Sequence, residues 1–197
     1  MITAILLASG YSQRLKRDKL SLDFNGIPVL EHTMRAISNV SFSKKLLVTR
    51  QEQYSCLASQ YGFQTLLNPM AQTGQSSSIR LGVLQSDPSS AFMFFVGDQP
   101  LLSSSVIKRL LEVHRQKPGS IIIPTLDGQN QNPVIFPSSL RESLLEITGD
   151  TGGRSVIAKN PQLIQRVSFT DSLPFLDIDT SEDYFTLLSK AKKTEDY

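Results

Sequence analysis

The sequence has little with which to build a conventional catalytic or metal centre. Its 197 residues contain one cysteine, two histidines and no tryptophan. A lone Cys56 excludes an internal disulfide, and one thiol with two distant imidazoles excludes a zinc site. Any metal is therefore expected on oxygen ligands, which points to Mg²⁺ or a similar hard cation. Charge of one sign is lacking too. The 20 Lys and Arg against 18 Asp and Glu leave a net +2, which argues against broad electrostatic binding to nucleic acid or anionic lipid. No apolar run approaches the roughly 18 residues of a membrane span. The apolar start, Met1 to Ala8, is too short for a signal-peptide core and has no basic segment before it. The expectation is a soluble, cytoplasmic protein with no nucleic-acid or membrane partner.

What is present is a chain that can fold. Its hydrophobic fraction of 40% excludes wholesale disorder. A length near 200 suits one α/β domain spanning residues 1–197. Short aliphatic runs, Ile2 to Leu7 and Ala91 to Val96, stop at Ser9-Gly10 and Gly97-Asp98, as buried strands entering loops do. Lys45 to Thr49, Gln64 to Leu67, Ile121 to Ile123, Pro133 to Phe136 and Leu163 to Phe169 also read as strands. Between them lie helical patterns: from Pro28 with Leu30, Met34 and Ile37 on one face, Glu52 to Gln60, from Ser76, and from Ser103 to His114. Ser139 to Glu146, Gly153 to Ala158 and Thr180 to Lys192 follow. Strands alternating with helices predict βαβ units and a mostly parallel sheet. The charged tail, 192–197, is expected to fray.

In an open parallel sheet, ligands sit beyond the carboxyl ends of the strands. After the first strand, Leu7-Ala8-Ser9-Gly10 is small enough for backbone N–H groups to approach an anion. Residues 14 to 19 then hold four cations and one Asp. This suits a polyphosphate cradle, although a solvated basic loop has the same composition. It is neither a P-loop, since no G-x-x-x-x-G-K-[ST] follows any strand, nor a G-x-G-x-x-G dinucleotide loop. Asp98, after the central strand and before Pro100, is placed to hold Mg²⁺ over a triphosphate, or merely to cap its own turn. A second Gly-Asp, in Gly149-Asp150-Thr151-Gly152-Gly153-Arg154, offers another carboxylate and a cation in a tight loop, or an ordinary glycine-rich connection. Asp177 and Asp179 can join the acidic side, or mark a strand end running into a helix cap.

Taken in order, A-S-G-x-S-x-R-L-x-x-x-K, G-Q-S-S-S-I-R-x-G, G-D-Q-P, N-P-V-I-F, G-D-x-G-x-R and D-I-D-T-x-E-D run from Leu6 to Asp183. The series resembles the MobA-like nucleotidyltransferases, and within them the molybdenum cofactor cytidylyltransferase branch. The resemblance implies a three-layer, Rossmann-like nucleotidyltransferase fold that uses CTP and Mg²⁺. It implies transfer of CMP to the terminal phosphate of molybdenum-bearing molybdopterin, with release of pyrophosphate. Residues 1–125 would form the nucleotide-binding part and 126–190 the acceptor-binding part. By position, Leu7, Ala8, Ser9 and Gly10 would line the nucleotide pocket, with Gln75, Ser76, Ser77 and Ser78 near base and ribose and Arg80 close by. Arg14 and Lys19 would contact the triphosphate, and Asp98 would hold the metal. Asn132, Asp150 and Arg154 would face the acceptor, with Asp150 a second metal ligand. A molybdenum hydroxylase of the xanthine dehydrogenase type is the implied downstream partner.

The sequence departs from the family pattern at Ser9, where a second Ala is usual, at Lys16, where Gly is usual, and at Gln131, where Gly is common. Ala8 favours the cytidylyl branch, because guanylyl enzymes carry paired glycines there and a Cβ narrows the space beside the base. Three alternatives stand beside this reading. One is a related transferase using GTP or another phosphate acceptor, and another is a cofactor-binding chaperone without transferase chemistry. The third, a nicotinamide-dependent reductase, is disfavoured by the missing glycine fingerprint.

Overall fold

The structure, a computed structural model, describes residues 1–11, 15 and 17–195, with side chains through residue 191. Its elements are β1 (Ile2–Ala8), β2 (Asp23–Phe24), β3 (Ile27–Pro28), α1 (Val29–Ser38), β4 (Lys44–Thr49), α2 (Ser55–Gln60), β5 (Gln64–Leu67), α3 (Gln75–Leu84), β6 (Ala91–Val96), α4 (Ser104–Gln116), β7 (Ile121–Leu126), β8 (Gln129–Asn130), β9 (Val134–Phe136), α5 (Arg141–Leu145), α6 (Arg154–Lys159), β10 (Ile164–Phe169) and α7 (Ser181–Glu195). Every strand and helix expected above is present, within a few residues at its ends. Helix α7 continues past the expected end at Lys192, and residues 196–197 of the tail lie outside the described residues.

The main sheet runs β10-β7-β9-β6-β1-β4-β5, with β8 paired to β7. Pairs β1–β4, β1–β6, β4–β5 and β7–β10 are parallel, whereas β9 is antiparallel to both β6 and β7. The sheet is therefore mixed but mostly parallel. There are two short hairpins: β7–β8 extends the main sheet, and β2–β3 forms a separate two-stranded sheet. The β2–β3 pair turns through Asn25 and Gly26, with φ of 52° and 86°. The β7–β8 pair turns through Asp127 and Gly128, with φ of 48° and 79°. Two successive positive φ values are the type I′ geometry that matches strand twist.

The three layers follow from strand alternation. Ala4, Leu6, Leu47, Met93, Phe95 and Ile122 point to one face, where they pack with Leu30, Met34 and Ile37 of α1 and Ile107 and Leu110 of α4. Their neighbours Ile5, Leu46, Val48, Phe92, Phe94 and Ile123 point to the other, against Ile79 and Val83 of α3, Leu144 of α5 and Val156 of α6. A sheet covered on both faces needs the near-continuous apolar strands read from the sequence. Each of the larger of these side chains, Val, Leu, Ile, Met or Phe, contributes about 1.5–3 kcal/mol by leaving water. A smaller cluster of Phe24, Val29, Ile178 and Leu187 joins the β2–β3 hairpin to α7. It carries the C-terminal segment back to the carboxyl ends of the central strands.

Candidate active site

The site begins where β1 ends. Ala8 and Ser9 are buried, and the Ser9 hydroxyl donates to the Val48 carbonyl at 3.1 Å, tying the loop to β4. Arg50, just past β4, reaches the same loop. Its Nε donates to the Gly10 carbonyl at 3.5 Å, and its guanidinium lies 4.7 Å from the centre of the Tyr11 ring. Neither Arg50 nor Tyr11 was singled out from the sequence. Arg14, expected on the triphosphate, and Lys16 fall outside the described residues.

Asp18 fixes the start of the short 3-10 turn 19–21. One carboxylate oxygen accepts the Leu20 N–H at 3.2 Å, while the other accepts the Gln51 amide at 2.9 Å and the Tyr54 hydroxyl. Burial, with the Asp18 carboxylate beside it, pushes the Tyr54 phenol well above its ordinary range. This clamp presents Lys19 inward. The Lys19 ammonium lies 2.5 Å from Asp98 Oδ2 and 2.9 Å from Asp179 Oδ1. Partial burial works against its charge, but the two carboxylates outweigh that and hold its pKa above the usual lysine value.

Asp98 sits at the end of β6 in a turn held from two sides. The Gly97 N–H donates to the Leu7 carbonyl at 3.2 Å, and the Asp98 carbonyl accepts the Ile178 N–H at 3.1 Å. Gln99, buried, donates through Nε2 to the Phe175 carbonyl at 3.2 Å. These bonds bring segment 175–179 alongside the turn, so Asp177 and Asp179 stand with Asp98. Although Asp177 keeps solvent exposure, desolvation by the surrounding protein pushes its carboxyl up to about 6, and repulsion from Asp98 and Asp179 adds to this. The D-I-D-T segment is no strand end, since it follows a 3-10 turn at 173–175, but it does run into a helix cap. Thr180 Oγ1 accepts the Asp183 N–H at 3.2 Å while the Asp183 carboxylate accepts the Thr180 N–H at 2.8 Å, a reciprocal cap on α7.

Helix α3 enters the site through its N-terminus. Gly74 precedes it at φ 102°, and a Cβ there would lie 2.5 Å from the Gly149 carbonyl carbon and 2.6 Å from Asp150 Oδ1. Only glycine permits that approach. The free N–H groups of the first turn are met by the facing loop: Gln75 N–H donates to Asp150 Oδ1 at 3.2 Å and Ser76 N–H to the Gly149 carbonyl at 3.1 Å. Asp150 therefore caps α3 at the rim of the site. Ser76 and Ser77 point into the packing, with the Ser77 hydroxyl donating to the Gly74 carbonyl at 2.9 Å. Arg80 is exposed on α3 and lines neither cavity of the site.

These residues enclose a cavity of about 490 Å³. Its walls include Leu7, Ala8, Ser9, Gly10, Lys19, Gln75, Ser78 and Asp98, all expected on the nucleotide side, together with Asp179 and with Asp150, which the resemblance had put on the acceptor side. A second cavity of about 420 Å³ adjoins it and shares Leu7, Gln75 and Val96. It is walled by Phe94, Phe95 and Phe136 and edged by Asn130, Gln131, Asn132 and Arg154. The structure thus sorts the expected residues into two neighbouring spaces, one holding the lysine–carboxylate cluster and one where aromatic side chains meet amides and Arg154.

The donor set fits a hard divalent ion. Asp98 Oδ1 is buried and accepts no hydrogen bond among the described residues, which leaves an anionic oxygen for a cation. Among the described residues no group of three or more His, Cys, Asp or Glu gathers as a complete metal cage. A hard cation held at Asp98 would draw on one or two carboxylates and complete its shell with water and substrate phosphates.

A mostly parallel α/β sheet with a lysine–carboxylate cluster and a small-residue loop at its strand ends defines a Rossmann-like nucleotidyltransferase. The chain belongs to the MobA-like NTP transferase domain family, whose model matches residues 4–166. It is 25% identical over 198 residues to nicotine blue oxidoreductase of Paenarthrobacter nicotinovorans, covering 95% of this chain and 96% of that protein. It is 26% identical over 129 residues to a probable molybdenum cofactor guanylyltransferase of Natranaerobius thermophilus, covering 64% of this chain and 62% of that protein. Among solved structures, a nucleotidyl transferase from Methanothermobacter thermautotroptrophicus superposes with a TM-score of 0.83 at 19% identity, over 98% of this chain and 99% of that one. Among the described residues no helix is long and apolar enough to cross a membrane.

Proposed function

We propose that the protein is a molybdenum cofactor cytidylyltransferase, transferring CMP from CTP to molybdenum-bearing molybdopterin with release of pyrophosphate. The observation that carries this reading is the contact of Lys19 with Asp98 and Asp179 in a cavity that opens beside a second one. Nucleotide and acceptor can then meet at the shared wall of Leu7, Gln75 and Val96. An acceptor phosphate oxygen attacks the α-phosphorus, a new P–O bond forms, and the bond to the β-phosphate oxygen breaks in line. Lys19, with Arg14 assigned the same role, offsets charge on departing pyrophosphate. Mg²⁺ bound at Asp98, with Asp150 or Asp179 as a further carboxylate, would neutralise phosphate charge. The acceptor phosphate is already ionised at neutral pH, so no histidine base is required.

Asn132 and Arg154 are assigned to the acceptor, with Arg154 suited to its phosphate. We assign nucleotide binding mainly to residues 1–125 with Asp150 and Asp179 added, and acceptor binding mainly to 126–190 with Phe94 and Phe95 added; the whole acts as one cytoplasmic domain that hands its product to a molybdenum hydroxylase. The test is incubation with Mg²⁺, molybdenum cofactor and each of CTP, GTP, ATP and UTP, measuring pyrophosphate. CTP alone should give cofactor-dependent release. Release with GTP instead reassigns the base. The near-full-length similarity to a protein named nicotine blue oxidoreductase favours a second reading, reduction at the same cavities. Consumption of a reduced nicotinamide cofactor without pyrophosphate release identifies that case.

A further inference from the structure

The nucleotide cavity has a hydrogen-bonding polarity that is set from behind its wall. Asn68, at the end of β5, is 4% exposed, and its Oδ1 accepts the Met70 N–H at 3.0 Å. That backbone donor identifies which end of the amide is oxygen. The opposite end, Nδ2, then donates to both Ser77 Oγ and Ser78 Oγ, each at 2.9 Å. Both amide protons are thereby placed. Ser77 passes its own proton to the Gly74 carbonyl at 2.9 Å. Ser78 does not: among the described residues no acceptor takes its hydroxyl proton, and Ser78 is on the cavity wall.

A serine hydroxyl has one proton to give. With Asn68 donating into Ser78 Oγ, the remaining role of that hydroxyl is donor. We infer that Asn68 is a positioning residue that fixes Ser78 as a hydrogen-bond donor toward the nucleoside part of the bound nucleotide. The site therefore requires an acceptor there, a carbonyl oxygen or ring nitrogen of the base or a ribose oxygen. This rests on the reading of the larger cavity as the nucleotide site and adds to it which atom type must face Ser78. It also gives different duties to three consecutive serines: Ser76 in the packing, Ser77 bonded back to the Gly74 carbonyl, and Ser78 on the ligand.

The test is a double-mutant cycle on Mg-CTP affinity, measured by calorimetry, with the melting temperature of each ligand-free variant recorded alongside. Ser78→Ala removes the donor at a helical position that favours alanine, and should weaken Mg-CTP binding roughly three- to tenfold. Asn68→Asp keeps the shape and the Met70 contact, but its second oxygen accepts, so the Ser78 proton turns inward. Its affinity loss should match that of Ser78→Ala. The double variant should lose no more than either one, because both act on one proton. Additive losses, or a melting-temperature drop with unchanged affinity, reduce Asn68 to a structural role and overturn the inference. If the wild-type protein binds none of the four Mg-nucleotides, the nucleotide reading falls and this inference with it. Nucleotide binding with no effect of Ser78→Ala overturns the inference alone.

Discussion

Lys19 Nζ lies 2.5 Å from Asp98 Oδ2, so a cation from the loop after β1 meets the carboxylate that ends the central strand β6. Asp179 completes the contact at 2.9 Å from the opposite end of the chain. Without nucleotide, the ammonium offsets part of the carboxylates' negative charge. In the proposed reaction its long flexible stem would let it move to phosphate while a cation takes its place at Asp98.

Replacing Lys19 by methionine removes that charge and leaves Asp98 and Asp179 facing one another. Ligand-free stability in EDTA should fall by about 1–3 kcal/mol, the scale of a lost charged hydrogen bond. Added Mg²⁺ should raise the melting temperature of Lys19→Met more than that of the wild type. Turnover should drop on the order of 10²- to 10³-fold, as when one preorganised transition-state donor is lost.

Asp177 gives a pH signature. Its folded carboxyl titrates at about 6, above the ordinary aspartate value near 3.9. Between those values the native state binds more protons than the unfolded state, so this group's contribution makes stability fall as pH rises from about 4 to about 6. Asp177→Asn removes the contribution. In metal-free urea titrations, the variant should gain stability relative to the wild type on going from pH 4.5 to pH 7. A constant difference between the two proteins contradicts the assignment.

The Asp18 clamp is tested through Tyr54. In Asp18→Asn the phenol loses the anion that accepts its proton, and its titration, followed by ultraviolet absorbance, should move down toward the ordinary tyrosine value near 10. Because the same carboxylate holds the turn bearing Lys19, nucleotide affinity should weaken in parallel.

Gly74→Ala forces a Cβ to within 2.5 Å of the Gly149 carbonyl carbon at a φ of 102°. Both strain and overlap oppose it, and a loss of about 1–3 kcal/mol in denaturant unfolding is expected. The displaced Asp150 loop should also weaken Mg-nucleotide binding, whereas Gly10→Ala, where a Cβ meets nothing within 4 Å, should leave stability near wild type.

Much of this was legible in the sequence because it is local. The run Ala91 to Val96 reads as a buried strand, and its abrupt end at Gly97-Asp98 marks the carboxylate. The two hairpins are a different case. Asn25-Gly26 and Asp127-Gly128 are strong turn signals, yet their flanking strands are too short to alternate, and β9 gives no local sign that it runs antiparallel. Which of three serines faces the cavity depends on the phase of α3 against Asn68, a tertiary matter. The contact between Lys19 and Asp179 spans 160 residues of sequence. No spacing rule reaches that far, so the D-I-D-T segment read equally well as a helix cap.

The reaction proposed for this protein is group transfer at the junction of the two cavities. It is tested by following CTP labelled at the α-phosphate through a reaction with Mg²⁺ and molybdenum cofactor. The label should enter a cofactor–CMP dinucleotide in step with pyrophosphate release, and both should be lost in Asp98→Ala. Cofactor handed intact to a molybdenum hydroxylase, with no label transferred and no dependence on Asp98, contradicts it.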